Sequence, residues 1–306
     1  MTHSPDTTAT RNGRVGTYAL MAIVVVTLGS NWPIQTTGLR YLSPLWMASI
    51  RLLIALVATT VIASLTSNLH LPRRRDLPVV WTVGFFRLPI VFMLVFTGLE
   101  IVPPGRSAVL VWTASLWTVP LAAMFLGERM TRQRWLGLTI GISGIVLLFE
   151  PWRLSSMSGR TVTGHVLLLL AAVVNAASAV HIRRHGWTST TLELMPWQLL
   201  VASIPITILA LMLEGSPGVT WTPSLTAIMG YQGLLATSLA VWAQQTVLQR
   251  MPAVSTNLTL MAVPVVGLFT SAIFVNEVLT VATLAGLILV LGGVGANVRA
   301  DAALTP

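Results

Sequence analysis

The 306-residue chain has no cysteine and no lysine, and very little charge of any kind. Without cysteine there is no disulfide framework, no thiolate nucleophile and no Cys-ligated metal. Charged residues make up 9% of the chain, against about 25% in a typical soluble domain. A surface so poor in charge must face lipid over most of its area. Acids are scarcest: there are nine, and none falls in the middle of an apolar run. Asp6, Asp76 and Asp301 all stand outside such runs, which excludes an intramembrane aspartyl pair. HExxH, GxSxG and P-loop patterns are missing too, so nothing points to an enzyme, a metal or a cofactor.

What is present is apolar sequence, 54% of all residues. A helix needs roughly 20 predominantly apolar residues to cross the hydrocarbon core. Breaks at charge clusters and Pro/Gly turns mark ten such spans, at 15–35, 44–66, 78–99, 103–126, 132–149, 163–182, 192–213, 225–248, 252–274 and 279–298. The pattern predicts an all-α integral membrane protein with ten transmembrane helices, short connections, and tails at 1–14 and 300–306. The run after Arg14 lacks a small-residue cleavage site and reads as an uncleaved first span.

The eighteen basic residues are all arginine, and the net charge is +9. In a soluble protein that balance would suggest nucleic acid. Here the arginines fall between apolar runs, so they report topology and the bilayer is the partner. An even number of spans puts both termini on one side. With the termini inside, the inner segments hold Arg11, Arg14, Arg73, Arg74, Arg75, Arg129, Arg132, Arg134, Arg183, Arg184, Arg250 and Arg299. The outer segments keep only Arg40, Arg106, Arg153 and Arg160. Such a bias predicts cytoplasmic termini in the cell membrane.

The chain also repeats itself. Residues 126–148 read LGERMTRQRWLGLTIGISGIVLL and residues 275–297 read VNEVLTVATLAGLILVLGGVGAN. Glu128 maps onto Glu277, Thr131 onto Thr280, Gly137 onto Gly286 and Gly144 onto Gly293, all 149 residues apart. Gly84 and Gly233, and Pro103 and Pro252, keep the same offset. The units are 15–150 and 161–299. Five spans is an odd number, so the two units enter the membrane from opposite sides. Inverted repeats of this kind build many secondary transporters, one half taking the conformation the other has left.

The phrase GER-x-T-x5-G-x6-G at Gly127–Gly144, echoed at Asn276–Gly293, resembles the EamA-type members of the drug/metabolite transporter superfamily. Ser43-Pro44 followed by Arg51, and a small-residue-rich span 6 ending in Arg183-Arg184, are similar to the same pattern. The second copy departs from it with Asn276 in place of Gly127 and no basic residues after it. The resemblance covers about 15–299. It implies ten helices around a central cavity and transport of a small-molecule substrate, whose identity fold alone does not choose.

Arg87 is the most informative single position. A central arginine costs about 2.5–3.5 kcal/mol on insertion scales, so it should face a cavity or a partner. Pro89, two residues on, frees the Phe85 carbonyl. The guanidinium can grip a carboxylate or phosphate in bidentate fashion, or cap freed carbonyls; both readings stand. Asn31, Trp112, Asn175, Trp242 and Gln245 are the further substrate-binding candidates, as polar or aromatic residues inside spans. Arg51 is shallow enough to snorkel and reads first as an anchor. Glu128 and Glu277 each precede a threonine able to cap the next helix, and suit the positive end of its dipole. The glycines Gly137, Gly141, Gly144, Gly286, Gly292 and Gly293 offer small faces that pack within one chain or between two, leaving a homodimer open.

The lack of a mid-span carboxylate argues against proton-coupled export of cationic drugs. The expected cargo is a small organic metabolite, neutral, zwitterionic or anionic, moved outward. A multidrug or cation exporter with an aromatic cavity, a lipid-translocating protein and a non-transporting membrane protein are the alternatives.

Overall fold

The computed structural model describes residues 7–66, 68–150, 152, 158–185, 187–250 and 259–304. It is 82% helix, with no strand among the described residues. In chain order the helices are α1 (Thr7–Gly38), α2 (Pro44–Leu65), α3 (Leu77–Leu99), α4 (Pro104–Leu126) and α5 (Arg132–Phe149). They continue as α6 (Gly159–Arg184), α7 (Thr191–Leu213), α8 (223–250), α9 (Ala262–Phe274) and α10 (Val281–Leu304). α1 starts inside the polar tail, and its apolar part is Thr17–Gly38.

Eight of these helices are long and apolar enough to cross a membrane. The chain is a multi-pass membrane protein. Two of the expected spans fall short of that measure. α5 has 18 residues and carries Arg132 and Arg134 in its first turn. α9 has 13 residues, and the first part of its expected span, 252–258, lies outside the described residues.

Local chemistry sets the helix starts. Proline occupies the first turn of α2, α4 and α8, where its missing N–H costs nothing. Thr131, Ser158, Thr190, Thr222 and Thr280 cap α5, α6, α7, α8 and α10, each accepting from a backbone N–H three residues on. α4 ends at Gly127, whose φ of +70° is the left-handed conformation that closes a helix.

Two helices are not regular. α3 widens into π-helical turns over Thr82–Arg87, and α8 does the same over Tyr231–Leu239. The two stretches begin 149 residues apart, the offset of the sequence repeat. In α8 the hydroxyls of Thr237 and Ser238 donate to the carbonyls of Gln232 and Gly233, five residues back.

The packing is reciprocal about that offset. α3 lies on α7, and α8 lies on α2. α1 packs on α9 while α4 packs on α6; α3 packs on α6 while α8 packs on α1. Gly84 and Gly233 allow two of these approaches: a Cβ would meet the Gln198 carbonyl oxygen at 2.7 Å in one case and Ile54 Cγ2 at 2.4 Å in the other. α5 and α10 form the closest pair. A Cβ on Gly293 would lie 2.4 Å from the Gly137 oxygen and 2.6 Å from Gly141 N, and one on Gly144 2.8 Å from the Gly286 oxygen. These glycine faces meet within the chain.

Carboxylates clamp the helix ends. Glu277 accepts from Gly105 N at 2.6 Å and Arg106 N at 3.1 Å, so it caps α4 and not its own helix. Glu214 caps α2 through Leu45 N and Trp46 N, at 3.0 and 3.1 Å. Glu128, just before the Thr131 cap of α5, accepts from Arg134 at 2.9 Å and Arg183 at 2.8 Å. The basic ends of α5 and α6 converge on it.

Asp76, just before α3, is buried and ties the start of α7 through Thr188 N at 2.9 Å and Ser189 Oγ at 2.6 Å. Burial alone would raise its carboxyl, but the hydrogen bonds from Ser189 and Thr188 outweigh it and hold it below the ordinary value. A folded-state value below the unfolded one gives stability that is present above about pH 4 and lost as pH falls further. Thermal melts from pH 6 down to pH 3, scales set only by the ordinary aspartate range, should therefore show a smaller acid loss for Asp76→Asn than for the parent. Its melting temperature at neutral pH should be lower.

Candidate functional site

The membrane-spanning part holds two arginines in different settings. Arg87 closes the π-helical stretch of α3 and is half-buried. Its Nε donates to Asn175 Oδ1 of α6 at 2.9 Å. A π-helical turn rotates the residues that follow it and leaves carbonyls less tightly paired, which explains why such turns occur often at functional sites. Here it turns Arg87 toward α6. Asn175 can accept with its oxygen only, so the donor-only guanidinium fixes the amide orientation. With Nε held, the two terminal nitrogens have no hydrogen-bond partner among the described residues. A fork held at its base with free tips is suited to a carboxylate or phosphate.

Arg51 does not snorkel. It is 5% exposed and points into the bundle. Its Nε donates to Thr237 Oγ1 at 2.8 Å, and its Nη1 to Gln35 Oε1 and Gln232 Oε1, each at 3.3 Å. The guanidinium carbon lies 4.6 Å from the centre of the Phe92 ring, a cation–π contact. This cluster joins α1, α2 and α3 to the π-helical part of α8. Among the described residues no carboxylate lies within ion-pair distance of it.

Of the other expected site residues, Asn175 is brought to Arg87 and the rest are not. Asn31 is buried on α1 with Oδ1 unpaired, one turn before Gln35 and on the same face. Trp112 is half-buried at the break in α4, between the two apolar clusters of the core. Trp242 is 40% exposed and shares a face of α8 with the exposed Leu235 and Leu239, opposite the buried Ala236, Ala240 and Ala243. Gln245 lies on α8, but its side chain is outside the described residues. Every acid among the described residues stands at a helix end or in a connection, as the sequence indicated.

Two stretches, residues 16–150 and 162–299, match the EamA-like transporter family. The chain belongs to that family. It is 28% identical over 290 residues to a "Probable amino-acid metabolite efflux pump" of Salmonella typhimurium, covering 91% of this chain and 93% of that protein. It is also 28% identical over 278 residues to a "Probable terminal-alkyne amino-acid exporter" of Streptantibioticus cattleyicolor, covering 90% of each. A solved crystal structure superposes with a TM-score of 0.67 at 18% identity, over 95% of this chain and 99% of the other. That likeness shows the fold. The family and the relatives are transporters and not enzymes.

Within this EamA-like chain, sequence reasoning missed Gln35, Gln232, Thr237 and Phe92 as partners of Arg51. Gln232 and Thr237 flank Gly233, which the repeat had marked. That was the available signal.

Proposed function

We propose that this EamA-like chain is an exporter of a small organic metabolite, built as ten membrane helices in two inverted five-helix repeats, 15–150 and 161–299. Reciprocal packing and the paired π-helical stretches support that architecture. The halves exchange conformations to expose a central site to either side in turn. The termini are cytoplasmic, since Arg73, Arg74, Arg75, Arg129, Arg132, Arg134, Arg183 and Arg184 cluster at one end of the spans. The cargo is neutral, zwitterionic or anionic and carries an acidic group that Arg87 anchors. Relatives named for amino-acid cargo fit that chemistry. Asn31, Trp112, Trp242 and Gln245 belong to the path in this reading.

The observation that carries it is Arg87, held by Asn175 with its terminal nitrogens unspent. Hydrogen bonds to charged groups contribute about 1.5–3 kcal/mol each, so Arg87→Gln should weaken binding about 10- to 100-fold. The test is a thermal-shift screen of amino acids, organic acids, phosphorylated acids, nucleosides and lipophilic cations on the parent and the variant. Stabilisation by an acid or zwitterion, lost in Arg87→Gln, is expected. Stabilisation by cations, undiminished in the variant, would overturn the assignment and favour an aromatic cation site.

A further inference from the structure

We infer that Arg51 and Gln232 form a second oxyanion seat, between the two halves, for the carboxylate of the transported molecule. The inference rests on the reading of the chain as a transporter.

First, Arg51 uses Nε and Nη1 but not Nη2, which donates to no described residue. Second, Gln232 is fully buried and its Nε2 has no partner among the described residues. Its orientation is forced: the guanidinium has only donors, so the amide must present Oε1 to it and turn Nε2 away. Two donors, one charged and one neutral, are therefore left without a described partner on two residues that touch through Nη1 and Oε1. Third, all the acceptors of Arg51 are neutral. A buried arginine without a carboxylate leaves a positive charge uncompensated in a medium where that is costly. An incoming carboxylate would take one oxygen to Nη2 and the other to Gln232 Nε2, and would neutralise the charge.

Fourth, the site joins the two halves of the chain. Gln35, Arg51 and Phe92 come from 15–150, and Gln232 and Thr237 from 161–299. Phe92 covers one face of the guanidinium, which restricts a ligand to its plane. The donors on the second half sit on the π-helical stretch equivalent to the one that carries Arg87.

Gln232→Glu tests this directly. It keeps the acceptor for Arg51 and supplies, from within, the carboxylate that the seat lacks. The melting temperature of the ligand-free protein should rise, and the seat should be filled. The probes are acetate, benzoate, L-phenylalanine and inorganic phosphate, with benzamide as the uncharged counterpart of benzoate. A thermal shift with at least one anionic or zwitterionic probe, absent with benzamide, is expected for the parent. In Gln232→Glu the affinity should fall about 10- to 100-fold, the loss of a charge-assisted bond.

Arg87→Gln, run alongside, separates this seat from the Arg87 anchor. A shift lost in Gln232→Glu but kept in Arg87→Gln establishes the seat and removes the anchor. A shift kept in Gln232→Glu but lost in Arg87→Gln does the reverse and overturns the seat. Loss in both makes them parts of one site. No shift in the parent with any of the probes, or retention in both variants, overturns the seat.

Discussion

Gly293→Leu is expected to lower the melting temperature of the detergent-solubilised protein by about 6 °C or more, while Gly292→Leu leaves it nearly unchanged. The two glycines are neighbours in α10, so composition and helix propensity change identically. Only the direction differs. Gly293 faces α5 so closely that a Cβ would be 2.4 Å from the Gly137 oxygen, 2.6 Å from Gly141 N and 2.8 Å from Gly141 Cα. All three are backbone atoms, which cannot rotate aside as a side chain can. The helices must part, and with them the contacts Gly144–Gly286 and Gly137–Asn297 further along the same face. Overpacking of this sort costs about 1–3 kcal/mol, and a leucine against backbone belongs at the upper end. At Gly292 the nearest atom to a Cβ is Ile140 Cγ2 at 3.8 Å, an ordinary contact. Equal melting of the two variants would show that α5 and α10 do not meet as described.

Glu277→Ala should produce the next largest loss of stability. The carboxylate satisfies two backbone donors at the start of α4 from a connection far along the chain. Its removal leaves Gly105 N and Arg106 N unpaired, and helix-cap losses run to about 0.5–2 kcal/mol. Gly105→Ala should reproduce much of the effect, because a Cβ there would meet Glu277 Oε2 at 2.9 Å. Burial pushes the Glu277 carboxyl above its ordinary value, against the opposing pull of the Gly105 and Arg106 N–H groups and the Arg106 charge. An acid raised in the folded state binds its proton more readily there. Its contribution to stability is therefore greatest at low pH and declines as pH rises through the glutamate range, opposite in sign to Asp76. Melts of Glu277→Gln should lack that decline, and an unchanged pH profile would refute the assignment.

Eight membrane-length apolar helices were legible in the sequence because they depend on composition and length. Runs of apolar residues need only lipid to explain them. Facing was less legible. In a soluble helix the polar side reveals what points outward, but α2 is apolar nearly all round, so nothing in it says which way Arg51 turns. The structure turns it inward, toward Gln35 and toward partners more than 180 residues away. Arg87 and Asn175 were each singled out on their own merits, yet only folding brought them to 2.9 Å. Glu277 was matched by sequence proximity to the positive end of α10, and folding brings its carboxylate to the start of α4 instead.

The twin π-helical stretches have a consequence for ancestry. A π-helical turn arises when one extra residue is accommodated without breaking the helix. Here the same irregularity begins at Thr82 and at Tyr231, in two stretches that each match one family. Two independent insertions at one equivalent position require two events, and inheritance requires one. One unit that already carried the widened turn, copied once, would account for both stretches. Arg87 has Ala236 as its counterpart, so the guanidinium would have been gained or lost in one copy afterwards. The widened backbone is common to both stretches, and the charge is not.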